Sequence, residues 1–275
     1  MLRKPRVKGS GRESEAAPDR GGTVRHGRVL GVLGLLALAS SPALPAQQPA
    51  GTSSSTTLHW WDGVAVVGSL AVIGLFDEAA QRATQEDRTP FKDDVAAVVR
   101  HMGQPEVFAT IPIGIFVTGV ATHHPALRRS GIRVAGSLAL AGVAVTAGKF
   151  VFGRLRPFQT AEPYEWKPFS GADAFPSGHT TMAFGLATAL ANEIRRPWAT
   201  VILMAGAAGT GWSRINDNKH WLSDVFAGAA LGVTSAELVD GRWALGRLRP
   251  PAVFVTPPSR TGGAALGWRM SVALP

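Results

Sequence analysis

The sequence predicts an all-α protein whose core is a six-helix bundle embedded in a membrane. Two observations support this fold class. Apolar residues make up 45 % of the 275 residues and charged residues only 17 %, a balance that suits helices in lipid better than an ordinary soluble enzyme. Six apolar segments of helical character also recur along the chain, with lengths of about 15 to about 23 residues, which bracket the length of a bilayer span.

The region before the bundle is predicted to be an export signal followed by a linker. Residues 1–28 carry eight Lys and Arg against three acidic side chains, and an apolar run of about eleven residues follows at 29–39. A basic start, a short apolar centre and small residues before a polar stretch are typical of a signal peptide. We therefore expect a basic tail and signal-like segment at 1–46, with an uncleaved anchor as the alternative, and a linker at 47–57.

The helical domain is predicted to cover residues 58–245. Its apolar segments are 62–76, 104–122, 130–152, 178–194, 198–212 and 221–239. The first segment is short and runs into the polar stretch 77–82, so we expect it to be half exposed. In the last segment, Gly228 and Gly232 have the spacing that lets two helices approach closely, either in a bilayer or in ordinary bundle packing.

The remaining residues, 246–275, are predicted to form a short C-terminal tail with β character. Residues 253–256 and 264–272 flank a stretch rich in proline and glycine, a pattern that favours a β-hairpin. We assign no function to this tail. The chain contains no cysteine, which excludes disulfides and metal sites with cysteine ligands.

Three short motifs in the second half of the chain carry the chemistry. In chain order they are Lys149 with Arg156-Pro157, then Pro176-Ser177-Gly178-His179, then Ser213-Arg214 with His220 and Asp224. Together they supply three cations, two histidines and one carboxylate. Such a set can bind phosphate oxygens, attack phosphorus and protonate a leaving oxygen. The set has a single carboxylate, so we expect no metal and no other cofactor.

The spacing of the cations predicts how they meet a phosphate. Lys149 and Arg156 are seven residues apart, which is two helical turns, so both can lie on one face of a helix that Pro157 ends. Arg214 supplies a planar fork for phosphate oxygens, a geometry that lysine cannot match.

The second motif is predicted to begin a helix. Ser177 stands where an N-cap is expected, and the backbone N–H groups of Gly178 and His179 then open a helix N-terminus to an anion. Glycine keeps that backbone approachable. The His179 side chain is placed to donate a proton to a leaving group.

The third motif pairs a histidine with a carboxylate. His220 and Asp224 are four residues apart and are expected on one face of the last helix. A carboxylate at this spacing can hold one imidazole nitrogen and leave the other free to attack phosphorus. The product of that attack is a phosphohistidine, which water then hydrolyses.

In their order and spacing, the three motifs resemble the signature of the type 2 phosphatidic acid phosphatase superfamily, which also includes bacterial nonspecific acid phosphatases and vanadium haloperoxidases. The motifs span 149–224, and the helical segments extend the likeness to about 60–240. The resemblance implies an all-helical bundle with His220 as nucleophile, Asp224 as its orienting partner and His179 as general acid. It implies as phosphate ligands Lys149, Arg156, Ser177, Gly178 and Arg214.

The distribution of basic residues predicts where the motifs lie relative to the membrane. Arginines between the second and third segments, between the fourth and fifth, and after the sixth fall on one side of a six-helix bundle. The positive-inside rule makes that side cytoplasmic, so the motifs face the periplasm or cell exterior of a bacterial-type inner membrane. A cleaved signal conflicts with this scheme, because it places residue 47 outside where the bundle has to begin inside. An exported periplasmic or secreted protein is therefore the alternative.

The function we favour from the sequence is a metal-independent phosphatase that hydrolyses a lipid phosphate or diphosphate in a membrane. The net charge of +9 is concentrated near the two ends of the chain, which argues against a nucleic-acid partner. The first alternative is an exported acid phosphatase that acts on small phosphomonoesters, and a less favoured one is a vanadium haloperoxidase. A membrane protein that binds phosphate without turnover is a fourth, and the intact histidines argue against it. The sequence indicates neither the individual substrate nor the oligomeric state.

Overall fold

The computed structural model describes residues 56–245, 248–256 and 265–272. The predicted signal-like segment and nearly all of the predicted linker lie outside these residues. The described part is mostly helical, as predicted. Its α-helices are α1 (Trp60–Gly74), α2 (Asp77–Glu86), α3 (Pro90–Val99), α4 (Pro105–Ala121), α5 (Pro125–Phe152), α6 (Gly178–Ile194), α7 (Pro197–Asn216) and α8 (Leu222–Val239), with a 3-10 helix at Arg100–Gly103.

The expected count of six helices is not met, because two polar connections fold as the short helices α2 and α3. Helix α3 has a strong start signal, since Pro90 occupies its first turn and the Thr89 hydroxyl accepts a hydrogen bond from the backbone N–H of Lys92. Helix α2 has no such cap and a mainly polar sequence. It packs against α7 and α8, so tertiary contacts rather than an apolar run stabilise it.

Helix α6 forms the centre of the bundle, and eleven of its 17 residues are buried. Helices α5, α7 and α8 surround it. The two glycines of the predicted close-approach motif lie on the α6–α8 contact. A Cβ atom on Gly228 would come within 2.6 Å of the Ser177 carbonyl oxygen, and one on Gly232 would clash with the Thr181 carbonyl oxygen. The motif therefore brings two helices of the same chain together.

Several helices have the composition of membrane spans. Within the described residues, α5 and α8 are long and apolar enough to cross a bilayer. The count rises to four if α1 with α2, bent by 48°, and residues 90–103 with α4, bent by 42°, are each taken as one broken span. Helix α1 also exposes large apolar side chains, among them Trp61, Val64 and Val67. These features indicate membrane association.

The C-terminal tail forms part of a four-stranded sheet. Its strands are β1 (Thr56–Leu58), β2 (Trp243–Leu245), β3 (Leu248–Thr256) and β4 (Ala265–Val272), in the order β1-β2-β3-β4. Strands β3 and β4 pair antiparallel, which is the hairpin that the sequence predicts. Strand β1 pairs parallel with β2 and begins inside the stretch predicted as a linker.

Candidate active site

The three motifs meet at one end of the bundle, where α5 and α7 end and α6 and α8 begin. They lie around an open cavity of about 720 Å³. Apart from Thr146, its polar lining comes from the motifs, namely Lys149, Arg156, Gly178, His179, Arg214 and His220. Ser177 and Asp224 are fully buried behind this lining. All eight predicted site residues therefore lie at this end of the bundle, six on the cavity wall and two behind it.

A turn at a glycine, and not a continuous helix, connects the two parts of the first motif. Helix α5 ends at Phe152 because Gly153 adopts a left-handed conformation with a φ of 55°. A Cβ atom on Gly153 would clash with the Lys167 carbonyl oxygen, so the turn requires glycine. Lys149 lies in the last helical turn and Arg156 in the following loop. The prediction that both share one helical face ended by Pro157 is wrong.

Lys149 and Arg156 converge instead on Asp173, a residue that the sequence analysis missed. The guanidinium of Arg156 holds its carboxylate with two bonds, Nε to Oδ1 at 2.8 Å and Nη2 to Oδ2 at 2.6 Å. The ammonium of Lys149 donates to the Asp173 backbone carbonyl and lies 3.6 Å from the carboxylate. Partial burial works to raise the pKa of Asp173, but the two cations outweigh it and hold this pKa below its usual value. A clue was available, because Asp173 stands three residues before the second motif.

The second motif begins α6, as predicted. Ser177 has the extended backbone of an N-cap, and Gly178 is the first helical residue. The Ser177 hydroxyl does not cap the helix, because it bonds the hydroxyl of Thr180 at 2.9 Å. The N-terminus of α6 thus stays open toward the cavity at Gly178 and His179. A Cβ atom on Gly178 would lie 3.6 Å from the Lys149 side chain, so no clash explains this glycine.

Arg214 reaches the cavity from the last turn of α7. Its Nη1 donates to Asp217 Oδ2 at 2.9 Å, which fixes the direction of the guanidinium. Its Nε is buried and has no hydrogen-bond partner among the described residues. A buried donor of this kind is costly to leave unpaired, so an arginine at a cavity wall suits an anionic ligand.

His220 lies in the loop before α8, and its side chain is 2 % exposed. Its Nδ1 is 2.7 Å from the Ala174 carbonyl oxygen and 3.6 Å from Asp224 Oδ2. A carbonyl can only accept, so Nδ1 carries the proton and Nε2 is left with a free lone pair. Burial lowers the pKa of His220 although the charge of Asp224 opposes this shift. The net shift favours the neutral imidazole.

This geometry corrects the predicted histidine–carboxylate pair. His220 does not share a helical face with Asp224, because α8 begins at Leu222 and His220 precedes it. Asp224 Oδ2 accepts from the backbone N–H of Trp221 at 2.9 Å and thereby closes the first turn of α8. The direct partner of the imidazole is the Ala174 carbonyl, which no side-chain motif can indicate. Asp224 acts on the imidazole through its charge at a slightly longer distance.

Arg154 is the second important residue that the sequence analysis missed. Its side chain is 1 % exposed, and its Nη1 donates to Asp224 Oδ1 at 2.6 Å. It stands two residues before Arg156, where it reads as one more basic residue of a loop. Nothing in the local pattern shows that it points into the protein interior. Over residues 56–245, no group of three His, Asp or Glu side chains has the arrangement of a metal site.

Comparison with known families identifies this part of the chain. The PAP2 superfamily model matches residues 130–239, which contain all three motifs. Residues 130–239 form a PAP2 superfamily domain. The predicted resemblance to the type 2 phosphatidic acid phosphatases is thereby confirmed. The match leaves out α1 to α4, although the 3-10 helix and α4 contribute Gly103, Pro105 and Phe108 to the cavity wall.

Relatives of the PAP2 domain include enzymes that act on lipid phosphates. A lipid A 1-phosphatase from Porphyromonas gingivalis is 46 % identical over 108 residues, which is 38 % of this chain and 22 % of that protein. An undecaprenyl-diphosphatase from Sulfolobus acidocaldarius is 30 % identical over 122 residues, 44 % of this chain and 58 % of that protein. The chain thus spans less than two thirds of either relative. Among solved structures, the chain is similar to the crystal structure of Aquifex aeolicus LpxE, with 25 % sequence identity and a TM-score of 0.47. The superposition covers 58 % of this chain and 91 % of that one.

Proposed function

We propose that the protein is a metal-independent phosphatase that hydrolyses a lipid phosphate or diphosphate through a phosphohistidine intermediate. One observation carries the proposal. The Ala174 carbonyl holds the proton of His220 on Nδ1, which leaves the Nε2 lone pair beside a cavity lined by the cations of Lys149, Arg156 and Arg214.

The first chemical step is attack of His220 on phosphorus. The cations and the open N-terminus of α6 bind the phosphate oxygens, as positive groups do for developing charge in phosphoryl transfer. His220 Nε2 forms a bond to phosphorus while the bond from phosphorus to the leaving oxygen breaks. Burial and the neighbouring cations lower the pKa of His179 to about 4, and a bound phosphate offsets those cations. His179, on the cavity wall, therefore takes up a proton when the phosphate binds and gives it to that oxygen. The products are the released alcohol, or a monophosphate in the case of a diphosphate, and phosphohistidine.

The second step returns the enzyme to its starting state. Water attacks phosphorus, the bond from phosphorus to Nε2 breaks, and His179 accepts a proton from the water. During the intermediate the His220 ring carries a positive charge, because Nδ1 keeps its proton. Asp224, 3.6 Å from Nδ1, lowers the energy of that charged ring.

The far wall of the cavity supports a lipid as the substrate. Beyond the cations, this wall is apolar and comes from α4 and α5, with Phe108, Ile113, Leu138 and Val145 among its residues. A phosphate head at the cations would leave an attached apolar chain against this wall. The lipid A and undecaprenyl diphosphate that the two relatives are named for have this division into a charged head and apolar chains.

The test is phosphate release by detergent-purified full-length protein in EDTA. Phosphatidate, an isoprenoid diphosphate and p-nitrophenyl phosphate are compared, and His220→Ala is run beside His123→Asn. His123 is exposed, beyond the end of α4 that is remote from the cavity, and has the positive φ of 54° that asparagine tolerates. Release that prefers a lipid and is lost only in His220→Ala is the expected result. Full activity in His220→Ala would disprove the nucleophile.

We further propose that the site opens toward the periplasm or cell exterior. The exposed arginines at 128–129, 195–196 and 242 lie at the ends of α5, α6 and α8 opposite to the cavity, and the positive-inside rule places such ends in the cytoplasm. The chain has no cysteine, so single cysteines report orientation without a background. In intact cells, a membrane-impermeant maleimide should label Glu162→Cys, in the loop beside the site, and spare Arg196→Cys. The reverse pattern would place the site in the cytoplasm.

A further inference from the structure

A buried ion network lies directly behind His220, and it includes a residue from outside the PAP2 domain. At its centre is Arg154, whose Nη1 donates to Asp224 Oδ1 at 2.6 Å and to Ser223 Oγ at 2.8 Å. Its Nη2 donates to Asp77 Oδ2 at 2.7 Å, and its Nε to the Pro163 carbonyl at 2.8 Å. The guanidinium thus joins two carboxylates that are far apart in the sequence.

Asp77 is the first residue of α2 and is completely buried. Beyond its bond with Arg154, its Oδ1 accepts from the backbone N–H of Ser223 at 2.7 Å, and its Oδ2 accepts from the Ser223 hydroxyl at 2.6 Å. Ser223 lies in the first turn of α8, immediately before Asp224. Asp77 therefore contacts both the guanidinium that pairs with Asp224 and the helix turn that contains Asp224.

Helix α2 is held in place against the end of α7 and the loop that leads from it to His220. The Gln85 side-chain amide donates to the carbonyl oxygens of Ile215 and Asn216, at 3.1 and 3.2 Å. Gln81 bonds Asn218 in the loop that follows α7. These contacts fix the position of α2, and with it Asp77, relative to His220.

The charges of the network explain why a second carboxylate is needed. Arg154 and Asp224 alone would form a neutral pair, with little field left for the neighbouring imidazole. With Asp77 the three side chains sum to one negative charge, in surroundings where burial makes charges act strongly on one another. That charge becomes balanced when the His220 ring turns positive in the proposed reaction.

We propose that Asp77 is a positioning residue of the active site. By pairing with Arg154, it leaves the negative charge of Asp224 free to stabilise the His220 ring when that ring is positive. This inference rests on the proposed function, because it assigns Asp77 to the same reaction. Asp77 has no contact with the cavity and acts only through Arg154 and Ser223.

The first test is Asp77→Asn, which keeps the shape and removes the charge. We expect kcat to fall about tenfold with KM within about twofold, because the lost charge acts on the reacting ring and not on substrate binding. The acid limb of the pH–rate profile should move to lower pH, because the positive His220 ring is less stabilised. The control is Glu78→Gln, which alters the neighbouring exposed carboxylate that pairs with Arg82 and should change neither quantity.

A second variant should shift the acid limb in the opposite direction. In Asp77→Asn with Arg154→Met no cation faces Asp224, so its full charge acts on His220 and the acid limb should move to higher pH than in the wild type. The double variant leaves one buried carboxylate without its cation, instead of the two that Arg154→Met alone would leave, and it keeps the bond from the Trp221 backbone N–H to Asp224. The other charged or titratable groups near His220, namely Lys149, Arg156, Asp173 and His179, are the same in every variant.

The outcomes separate this inference from the proposed function. Loss of turnover in His220→Ala tests the function, and the direction of the two pH shifts tests the role of Asp77. A lower melting temperature for Asp77→Asn with an unmoved acid limb would make Asp77 a purely structural cap of α8 and overturn the inference. If the wild-type protein hydrolyses nothing, the NMR titration midpoint of His220, assigned by its loss in His220→Ala, gives the same two shifts without any activity.

Discussion

The cavity-facing half of the site and the buried half behind it are built on different principles. Lys149 and Arg156 are partly exposed at the cavity and share one carboxylate, that of Asp173. Arg154 and Asp224, by contrast, are almost completely removed from solvent and make several bonds each. Water and salt screen the first group, while the second keeps nearly its full electrostatic strength. The cavity-facing half, or front, should therefore control substrate binding. The buried half, or back, should control the reaction rate and the stability of the fold.

The largest expected effect separates the two halves by stability. Arg154→Met leaves Asp77 and Asp224 buried without their shared cation, and losing one partner of a buried ion pair costs about 3–5 kcal/mol. We expect a folding free energy of the variant that is lower by that order. Denaturant unfolding in detergent with Arg88→Met as the control measures it, because Arg88 belongs to an exposed ion pair with Asp93. Equal stability of the two variants would contradict a distinct buried half.

The next effect belongs to the cavity-facing half. Arg156→Lys keeps the charge but loses the planar fork, so we expect kcat/KM to fall on the order of 10²-fold, the size seen when one preorganised donor is lost. Its melting temperature should stay close to that of the wild type, because its pair with Asp173 is partly exposed. Arg88→Lys is the matched control. A large loss of stability without loss of kcat/KM would reverse the division proposed above.

The pH dependence gives a smaller and more specific effect. Burial holds the pKa of His220 below its usual 6.5, so the neutral ring needed for attack persists as the pH falls through 6.5 and is lost only below it. The acid limb of kcat/KM should therefore have its midpoint below pH 6.5. A kinetic profile with a nonionising leaving group measures it. An acid limb above pH 6.5 would show that Asp224 outweighs burial.

The same division explains how much of this protein the sequence could reveal. The front of the site follows from local signals, since a helix N-cap at Ser177 and the cations beside Pro157 and Ser213 leave recognisable patterns. The long apolar helices follow from composition. The back does not, because Arg154 and Asp77 acquire their meaning only when residues 77 positions apart meet. In isolation Asp77 only begins the polar stretch 77–82, and α2 lacks the apolar run that indicates a helix.

Asp173, in the cavity-facing half, provides the smallest test. It occupies Lys149 and Arg156 with a carboxylate, the same kind of group that a phosphate presents, so it competes with an anionic ligand for both cations. Asp173→Asn should therefore bind vanadate about fivefold more tightly, which corresponds to a partly exposed Coulomb contact of about 1 kcal/mol. Glu162→Gln, which neutralises an exposed carboxylate of the same loop, should leave vanadate inhibition unchanged. Weaker vanadate binding in Asp173→Asn would mean that this carboxylate holds the cations in place for phosphate, and the front would then depend on preorganisation as much as the back does.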